Sequence, residues 1–241
     1  PHGYFDGVLI MDLVTDAAGN PAPRLGEVDL SADPAREYHG ILVRQVVRML
    51  CIGLIHGDLS EFNVLVTPDG KTAYVTSEVA NVVHVIDLGT KKVTKNIKVG
   101  KRPRRFVMSP DGSELWVTNE LDATVSVVDT KTHTEKQKIK FEVKGMRATD
   151  ITPVGMAISP DGKSMWVGLG KANHVAEVDV ATKAVKNQIL VGKRAWGLGF
   201  TPDGKTLFVA NGLSDDMTLI DTASGKALKT VPAGRVPHTI L

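Results

Sequence analysis

Thr67-Pro68-Asp69-Gly70 is the first of four copies of a Ser/Thr-Pro-Asp-Gly tetrapeptide in this chain. The other copies begin at Ser109, Ser159 and Thr201, at intervals of 42, 50 and 42 residues. Proline presets φ, aspartate bonds the backbone two residues on, and glycine accepts a positive φ, so each copy has the chemistry of a tight turn. A repeat of this length, with several short strands in each copy, is typical of a β-propeller.

Three further columns of residues keep the phase of the turn. An aromatic residue follows each turn, an Asp then closes an apolar run, and a Gly stands thirteen residues after three of those Asp residues. In chain order the columns are Tyr74, Trp116, Trp166 and Phe208; Asp87, Asp129, Asp179 and Asp221; and Gly100, Gly192 and Gly234. We expect the aromatic residues to pack between blades and the Asp side chains to bond the backbone of their own turns. The pattern predicts a mainly β fold, a partial or four-bladed β-propeller of four-stranded antiparallel blades over residues 67–241.

The overall composition excludes several classes of function. Lys and Arg number 29 against 27 Asp and Glu, and the formal charge of +2 predicts no attraction to nucleic acid. The single cysteine, Cys51, excludes an intrachain disulfide. No apolar run reaches the roughly 20 residues of a membrane-spanning helix. The seven histidines are scattered without the spacing of metal ligands.

Residues 1–66 do not follow the repeat. Residues 7–11 are apolar and predict a short strand, and a helix is predicted from Asp33 as N-cap, with Pro34 at its first position and its end near Gly53. We therefore expect two domains, a small α/β fragment with one long helix (1–66) and the propeller (67–241).

The segment His56-Gly57-Asp58-Leu59-Ser60-Glu61-Phe62-Asn63 closes this first part. Together with the rest of residues 7–66 it resembles the bacterial RIO-type atypical serine/threonine kinases. The resemblance implies that Asp58 accepts the substrate hydroxyl proton and that Asn63 holds Mg²⁺, with ATP as the phosphoryl donor. The glycine-rich loop, the nucleotide-binding Lys and the second metal-binding Asp of such kinases are missing from the sequence. Because phosphoryl transfer depends on positioning and charge neutralisation by all these parts, we expect Asp58 and Asn63 to be vestigial.

The segments Tyr74-Val75-Thr76-Ser77 and Trp116-Val117-Thr118-Asn119 carry a second resemblance. They are similar to the strand of the bacterial YVTN-type β-propellers, and residues 67–241 resemble the subgroup associated with PQQ-dependent alcohol catabolism. This resemblance implies a periplasmic location and PQQ as a candidate cofactor, whereas the kinase-like part implies the cytoplasm. The strand and turn over residues 62–70 suit both families, and we expect a composite, chimeric sequence.

Arginines precede the innermost strands of the predicted blades, where loops converge on the central channel. Arg102, Arg194 and Arg235 could form a cationic ring there that suits PQQ or an acidic loop of a partner, because arginine forks bind carboxylates well; the alternative is that they are solvated loop side chains. An insertion of eight residues between Ile139 and Pro153 is predicted to be a loop, either functional or a neutral elongation. The candidate ligand-binding residues are Arg102, Arg105, Arg147, Arg194, Arg235 and His238.

The leading functional hypothesis is a non-enzymatic propeller that binds a protein partner or a small anionic ligand at its loops. The alternative is a RIO-type protein kinase that uses Asp58 as its base. Four blades could close by themselves, or they could leave open edges that pair with a second copy of the chain. The sequence leaves both arrangements open.

Overall fold

Four antiparallel sheets of four strands each follow one another along the chain. The computed structural model describes residues 3–5, 8–10, 64–67, 69–90, 92–238 and 240. The chain divides into two units, Pro1–Gly3 with Leu9–Glu61 and Tyr4–Val8 with Phe62–Leu241. The predicted helix from Asp33 and the kinase-like residues Asp58 and Asn63 lie outside the described residues.

Two short strands, β1 (Gly3–Phe5) and β2 (Val8–Ile10), pair near the start of the chain. The four larger sheets contain sixteen strands, numbered in chain order. They are β3 Val64–Val66, β4 Thr72–Ser77, β5 Val82–Asp87 and β6 Lys92–Lys98; β7 Pro103–Met108, β8 Glu114–Asn119, β9 Thr124–Asp129 and β10 Thr134–Lys140; β11 Pro153–Ile158, β12 Ser164–Leu169, β13 His174–Asp179 and β14 Val185–Leu190; and β15 Ala195–Phe200, β16 Thr206–Asn211, β17 Asp216–Asp221 and β18 Lys226–Pro232.

Each sheet is an up-and-down meander in which every strand pairs with the next one in sequence. The two middle strands are the most buried, and the fourth strand of each sheet is largely exposed. The first strands β7, β11 and β15 lie next to one another, as the innermost strands of successive propeller blades do. The expected four antiparallel blades are confirmed, and the first blade begins at Val64, three residues ahead of the predicted domain boundary.

The Ser/Thr-Pro-Asp-Gly turns join the first and second strands of every blade. In the second blade the Gly112 amide donates to the Ser109 carbonyl at 2.8 Å, and Gly112 has a φ of +70°. The Ser109 hydroxyl donates to the Asp111 carboxylate at 2.6 Å, and this bond, with the donors of Ser113, lowers the Asp111 pKa to about 2. The other three copies repeat the glycine-to-hydroxyl-residue bond at 2.8 to 2.9 Å.

The Asp column has the structural role that its spacing predicts. Asp129 closes β9, and its carboxylate accepts from the Thr132 amide at 2.7 Å and from the Thr132 hydroxyl at 2.9 Å. Asp87, Asp179 and Asp221 accept equivalent bonds from the residue three positions on. These hydrogen bonds lower the pKa of each of the four carboxyl groups.

The aromatic column packs between blades. Tyr74, Trp116 and Trp166 are fully buried, and each contacts a side chain of the following blade. Phe208, in the fourth blade, is only half-buried. Within the described residues no further sheet covers the fourth blade, which explains why its aromatic residue is the exception.

The eight-residue insertion lies between the second and third blades, as predicted. Phe141 and Ile151 anchor its two ends in the core, and a short 3-10 turn spans Ala148–Asp150. Arg147 pairs with Asp150 at 2.8 Å inside this loop. None of the helices in the described part of the chain is long and apolar enough to cross a bilayer.

Candidate functional site

A residue with positive φ occupies the same position in three repeats, and at the first two of them it directly precedes the first strand of a blade, β7 or β15. These residues are Arg102 (φ +55°), Arg194 (φ +62°) and Val236 (φ +50°), whose amides donate to the side chains of Asn81 (2.9 Å), Asn173 (2.8 Å) and Asp215 (2.8 Å). The bonds of Arg102 and Arg194 fix where the chain enters the innermost strands β7 and β15. Arg235 is therefore not the structural equivalent of the two other ring arginines, because Val236 takes their position and Arg235 stands one residue earlier, exposed.

Arg102 and Arg104 share two glutamates. The Arg102 Nε atom lies 2.9 Å from Glu78 Oε2 and 3.4 Å from Glu120 Oε2. The Arg104 Nη1 atom lies 3.2 Å from Glu78 Oε1 and 3.5 Å from Glu120 Oε2. Both glutamates directly follow a second strand, β4 or β8, so two adjacent blades hold the two guanidinium groups in place.

Trp196, the second residue of β15, connects these arginines to the fourth blade. The Arg194 guanidinium lies 4.4 Å from the centroid of the indole ring, and that of Arg104 lies 5.6 Å away. The His238 ring lies 5.0 Å from the indole at an interplanar angle of 42°. We call Arg102, Arg104, Arg194, Trp196, His238, Glu78 and Glu120 together the arginine–tryptophan cluster.

Two donor groups of this cluster lack an acceptor among the described residues, and two of its buried glutamate oxygens, Glu78 Oε1 and Glu120 Oε2, have ion pairs with the arginines but no hydrogen bond. The Trp196 Nε1 donor is buried and has no hydrogen-bond partner in the described part of the chain. Among the same residues no carboxylate lies within ion-pair distance of Arg194. A buried donor without an acceptor costs about 1–3 kcal/mol, so an acceptor brought to this point gains that energy.

The third blade lies between Arg104 and Trp196, and its first strand, β11, has small side chains at the equivalent positions. These small side chains leave room for the contact. Arg104, Val154 and Trp196 occupy equivalent positions in β7, β11 and β15, and Gly155 follows Val154. A Cβ atom on Gly155 would lie 1.8 Å from the Trp196 carbonyl oxygen. The close approach of β11 to β15 therefore requires glycine at this position.

The structure brings together three of the six predicted ligand-binding residues, Arg102, Arg194 and His238. Arg105 lies in β7 beside Arg104, and its amide donates to the Thr118 hydroxyl at 3.1 Å. Arg147 stays in its own loop with Asp150, whose pKa it lowers. The part of the chain that the structure describes contains no group of three His, Cys, Asp or Glu residues that could hold a metal ion.

Sequence reasoning missed Glu78, Glu120, Arg104 and Trp196 as site residues. The signal for the glutamates was present, because each directly follows a Tyr-Val-Thr-Ser or Trp-Val-Thr-Asn strand. For Arg104 and Trp196 the signal was their repeat position, because each is the second residue of the innermost strand of its blade, β7 or β15.

Four consecutive four-stranded meanders, with their first strands side by side, define this part of the chain as a β-propeller. The model of the lactonase family of seven-bladed β-propellers matches residues 89–240, and the chain belongs to this family. A RIO-domain model matches residues 1–78, a stretch that runs through β4. Both resemblances, to a bacterial β-propeller and to a RIO kinase fragment, are confirmed at this level. No curated protein sequence matches the chain.

Solved structures support the propeller assignment. Hydrazine synthase of Kuenenia stuttgartiensis is 28% identical, with a TM-score of 0.60 over 76% of this chain and 53% of that one. The periplasmic gluconolactonase of Pseudomonas aeruginosa is 24% identical, with a TM-score of 0.63 over 73% of this chain and 54% of that one. A functionally unknown protein from Desulfotomaculum acetoxidans is 21% identical, with a TM-score of 0.62 over 75% of this chain and 58% of that one. The chain spans about half the length of the solved structures it matches.

Proposed function

We propose that this propeller is a binding protein that takes a small carboxylate-bearing ligand at the arginine–tryptophan cluster. The observation that carries the proposal is that, among the described residues, the buried Trp196 Nε1 donor has no acceptor and the neighbouring Arg194 guanidinium has no carboxylate. A carboxylate has two oxygens and accepts from both donors at once. Such a ligand would remove the cost of the unpaired indole N–H.

The charges of the cluster favour an anion. Two of the three guanidinium groups pair with Glu78 and Glu120, and the third, that of Arg194, has no carboxylate within ion-pair distance among the described residues. The two glutamates also hold Arg102 and Arg104 in one conformation, so a ligand has less side-chain entropy to remove when it binds. The glutamates thus make the site rigid, and Arg194 is the cation for which the described part of the chain supplies no carboxylate.

Two classes of ligand follow from the relatives. Membership in the lactonase family and the fold shared with a periplasmic gluconolactonase favour a sugar acid such as gluconate. The resemblance to propellers of PQQ-dependent catabolism favours PQQ, which also carries carboxylates. Both ligands present the chemistry that the cluster would recognise, and the periplasm is the compartment in which we expect to find them.

Lactone hydrolysis is the second candidate function. The family match over residues 89–240 favours it, because a sugar lactone opens to the same carboxylate that the cluster would bind. In this case Arg194 and the Trp196 N–H would stabilise the oxyanion that forms at the lactone carbonyl.

Calorimetric titration tests the binding proposal. Gluconate and PQQ are titrated into the full chain, with the uncharged polyol sorbitol as the reference ligand. We expect Arg194→Gln to weaken binding of the acid about tenfold or more, since a charge-assisted hydrogen bond contributes about 1.5–3 kcal/mol. Arg147→Gln, an exposed arginine outside the cluster, is the matched control and should leave the affinity unchanged.

Equal affinity for gluconate and sorbitol, or equal effects of the two arginine substitutions, would overturn the proposal. Release of acid from glucono-1,5-lactone above the spontaneous rate, lost in Arg194→Gln, would replace it with the hydrolytic function.

A further inference from the structure

Where two neighbouring blades meet, the turn between the third and fourth strands of one blade lies against the preceding blade. We call the space between them an inter-blade slot. Each inter-blade slot lies between the buried aromatic residue of one blade and the last residue of this turn in the next blade. The turn residues have positive φ and stand four positions after the Asp of their blade: His133 (+53°), Lys183 (+62°) and Gly225 (+62°). The repeat places them opposite Tyr74, Trp116 and Trp166, respectively.

The first two slots are filled by the turn residue itself. His133 Nδ1 lies 3.0 Å from the Tyr74 hydroxyl, and the two rings meet edge to face at 5.8 Å. Lys183 Nζ lies 4.8 Å from the centroid of Trp116 and 2.5 Å from the Glu114 carboxylate, and it also donates to the Val180 carbonyl. An aromatic face, a carboxylate and a carbonyl thus enclose an ammonium group in the second slot.

The third slot has an equivalent aromatic wall, but Ser164 stands at the position of Glu114 and glycine at the position of the lysine. The Asn187 amide donates to the Gly225 carbonyl at 3.0 Å, and beside this turn a cavity of about 270 Å³ is lined by Trp166, Glu177, Ser164 and Thr222, with Pro160, Asp161 and Asp203 also in its wall. Thr222 is the repeat equivalent of Val180, and Trp166 is that of Trp116.

Glu177 supplies the carboxylate of the third slot from the neighbouring strand. It pairs across β12 and β13 with Trp166, and its Oε1 atom accepts from the Ser164 hydroxyl at 2.7 Å. Lys186 donates to Glu177 at 3.0 Å, as Lys136 does to Glu114 at 3.3 Å. Each carboxylate therefore binds one lysine of the fourth strand of its own blade. Glu114 also binds Lys183 from the next blade, whereas no described residue supplies a second ammonium group to Glu177.

We propose that the slot between the third and fourth blades binds a primary ammonium group from outside the chain, with its nitrogen at the place that Lys183 Nζ takes in the preceding slot. The source is either a free alkylamine or the lysine side chain of a protein partner. Hydrogen bonds from Ser159 and Thr201 lower the pKa of Asp161 and Asp203, so this part of the wall is negative near neutral pH. Lys163 and Lys205 approach these carboxylates only at 3.9 and 3.8 Å and are largely exposed.

The proposal is tested most directly by a variant in which an introduced lysine fills the third slot. In Gly225→Lys the new side chain takes the backbone conformation of Lys183 and blocks the cavity. The new Cβ meets Asn187 Nδ2 at 2.3 Å, the end of a flexible side chain, so Asn187→Ala is combined with it if the single variant folds poorly. A second variant, Glu177→Gln, removes the negative charge and keeps the shape of the side chain.

The probe is n-butylammonium chloride, with n-butanol as the uncharged reference, read by saturation-transfer NMR and by thermal unfolding of the full chain. We expect millimolar binding of the amine, about tenfold weaker binding in Glu177→Gln, and loss of binding in Gly225→Lys. A lysine-containing peptide and the same peptide with norleucine distinguish a partner's side chain from a free amine.

Lys183→Gly provides the converse experiment, because it opens the second slot. Its melting temperature should fall, and n-butylammonium should restore part of the loss while n-butanol should not. Equal binding of amine and alcohol, or binding that survives in both Gly225→Lys and Glu177→Gln, would overturn the proposal. The slot and the arginine–tryptophan cluster share no residue, so this result is independent of the proposed function.

Discussion

Replacing Lys183 with Met should destabilise the propeller by about 3 kcal/mol. The Lys183 and Glu114 side chains are each 11% exposed, so the pair is largely shielded from water. The substitution removes a charge-assisted hydrogen bond of about 1.5–3 kcal/mol and a cation–π contact with Trp116 of about 0.5–2 kcal/mol. Met keeps the length of the side chain and adds no backbone strain at the positive φ of this residue. For a chain of this size we expect the melting temperature to fall by about 6–12 °C.

The pH dependence of this loss has a definite sign. Burial opposes the charge of Glu114, but the hydrogen bond and charge of Lys183, with hydrogen bonds from Lys136 and Trp116, outweigh it and lower the Glu114 pKa from its ordinary value of 4.5. A carboxyl group with a lowered pKa in the folded state stabilises the fold fully above its unfolded pKa and loses that contribution as the pH falls through the folded pKa. The difference between wild type and Lys183→Met should therefore be largest at neutral pH and shrink below pH 4.5.

Urea denaturation at several pH values measures both effects. Lys136→Met is the matched control, because Lys136 binds the same carboxylate at 3.3 Å with a side chain that is 49% exposed. We expect it to cost less than about 1 kcal/mol. Equal losses for the two substitutions, or a loss for Lys183→Met that does not change with pH, would refute the reasoning.

Three further predictions concern the strands and the kinase-like segment. Gly155→Ala should destabilise the propeller by several kcal/mol and displace Trp196, measured by thermal unfolding and tryptophan fluorescence, because its Cβ would lie 1.8 Å from a backbone oxygen; an unchanged melting temperature would contradict the close strand approach. Asn119→Ala should cost about 2–3 kcal/mol in urea denaturation, since the fully buried amide bonds the Gly100 amide and two hydroxyl groups at 2.9 to 3.1 Å; a neutral result would contradict that network. Incubation with ATP and Mg²⁺ should label the chain no more than Asp58→Ala, and phosphate incorporation lost in that variant would restore the kinase hypothesis.

The number and the order of the blades were predictable because the information is local. Each turn is built from bonds between residues at most five positions apart, such as the Ser109 hydroxyl to Asp111 and the Glu114 amide to Ser109. The same holds for Asp129 and the turn that follows it. A local bond pattern that repeats requires the same residue types at the same spacing in each copy, so the repeat is visible in the sequence.

The candidate site was predictable only in part because its contacts join different blades. Arg104 contacts Trp196 across the intervening strand β11, and the close approach of β11 to β15 requires Gly155. The need for this glycine follows from the packing of two strands and is not visible in the local sequence. Arg194 and Val236 are equivalent because the amide of each donates to a side chain of the preceding turn, Asn173 or Asp215. An alignment of the arginines in the sequence instead pairs Arg194 with Arg235, one residue away from the structural equivalent. The domain boundary at residue 66, the PQQ association and the composite origin stay predictions.

The indole N–H signals of the three tryptophans test the central claim most directly. In a ¹H–¹⁵N spectrum of the full chain, the Trp116 signal reports a bond to Glu114 at 3.2 Å, whereas the Trp196 N–H is buried without an acceptor in the described structure. We predict that gluconate or PQQ moves one indole signal downfield, and that this signal is the one missing in Trp196→Phe. A titration that leaves the Trp196 signal in place, or that moves the signals of Trp116 or Trp166 instead, would contradict a carboxylate site at the arginine–tryptophan cluster.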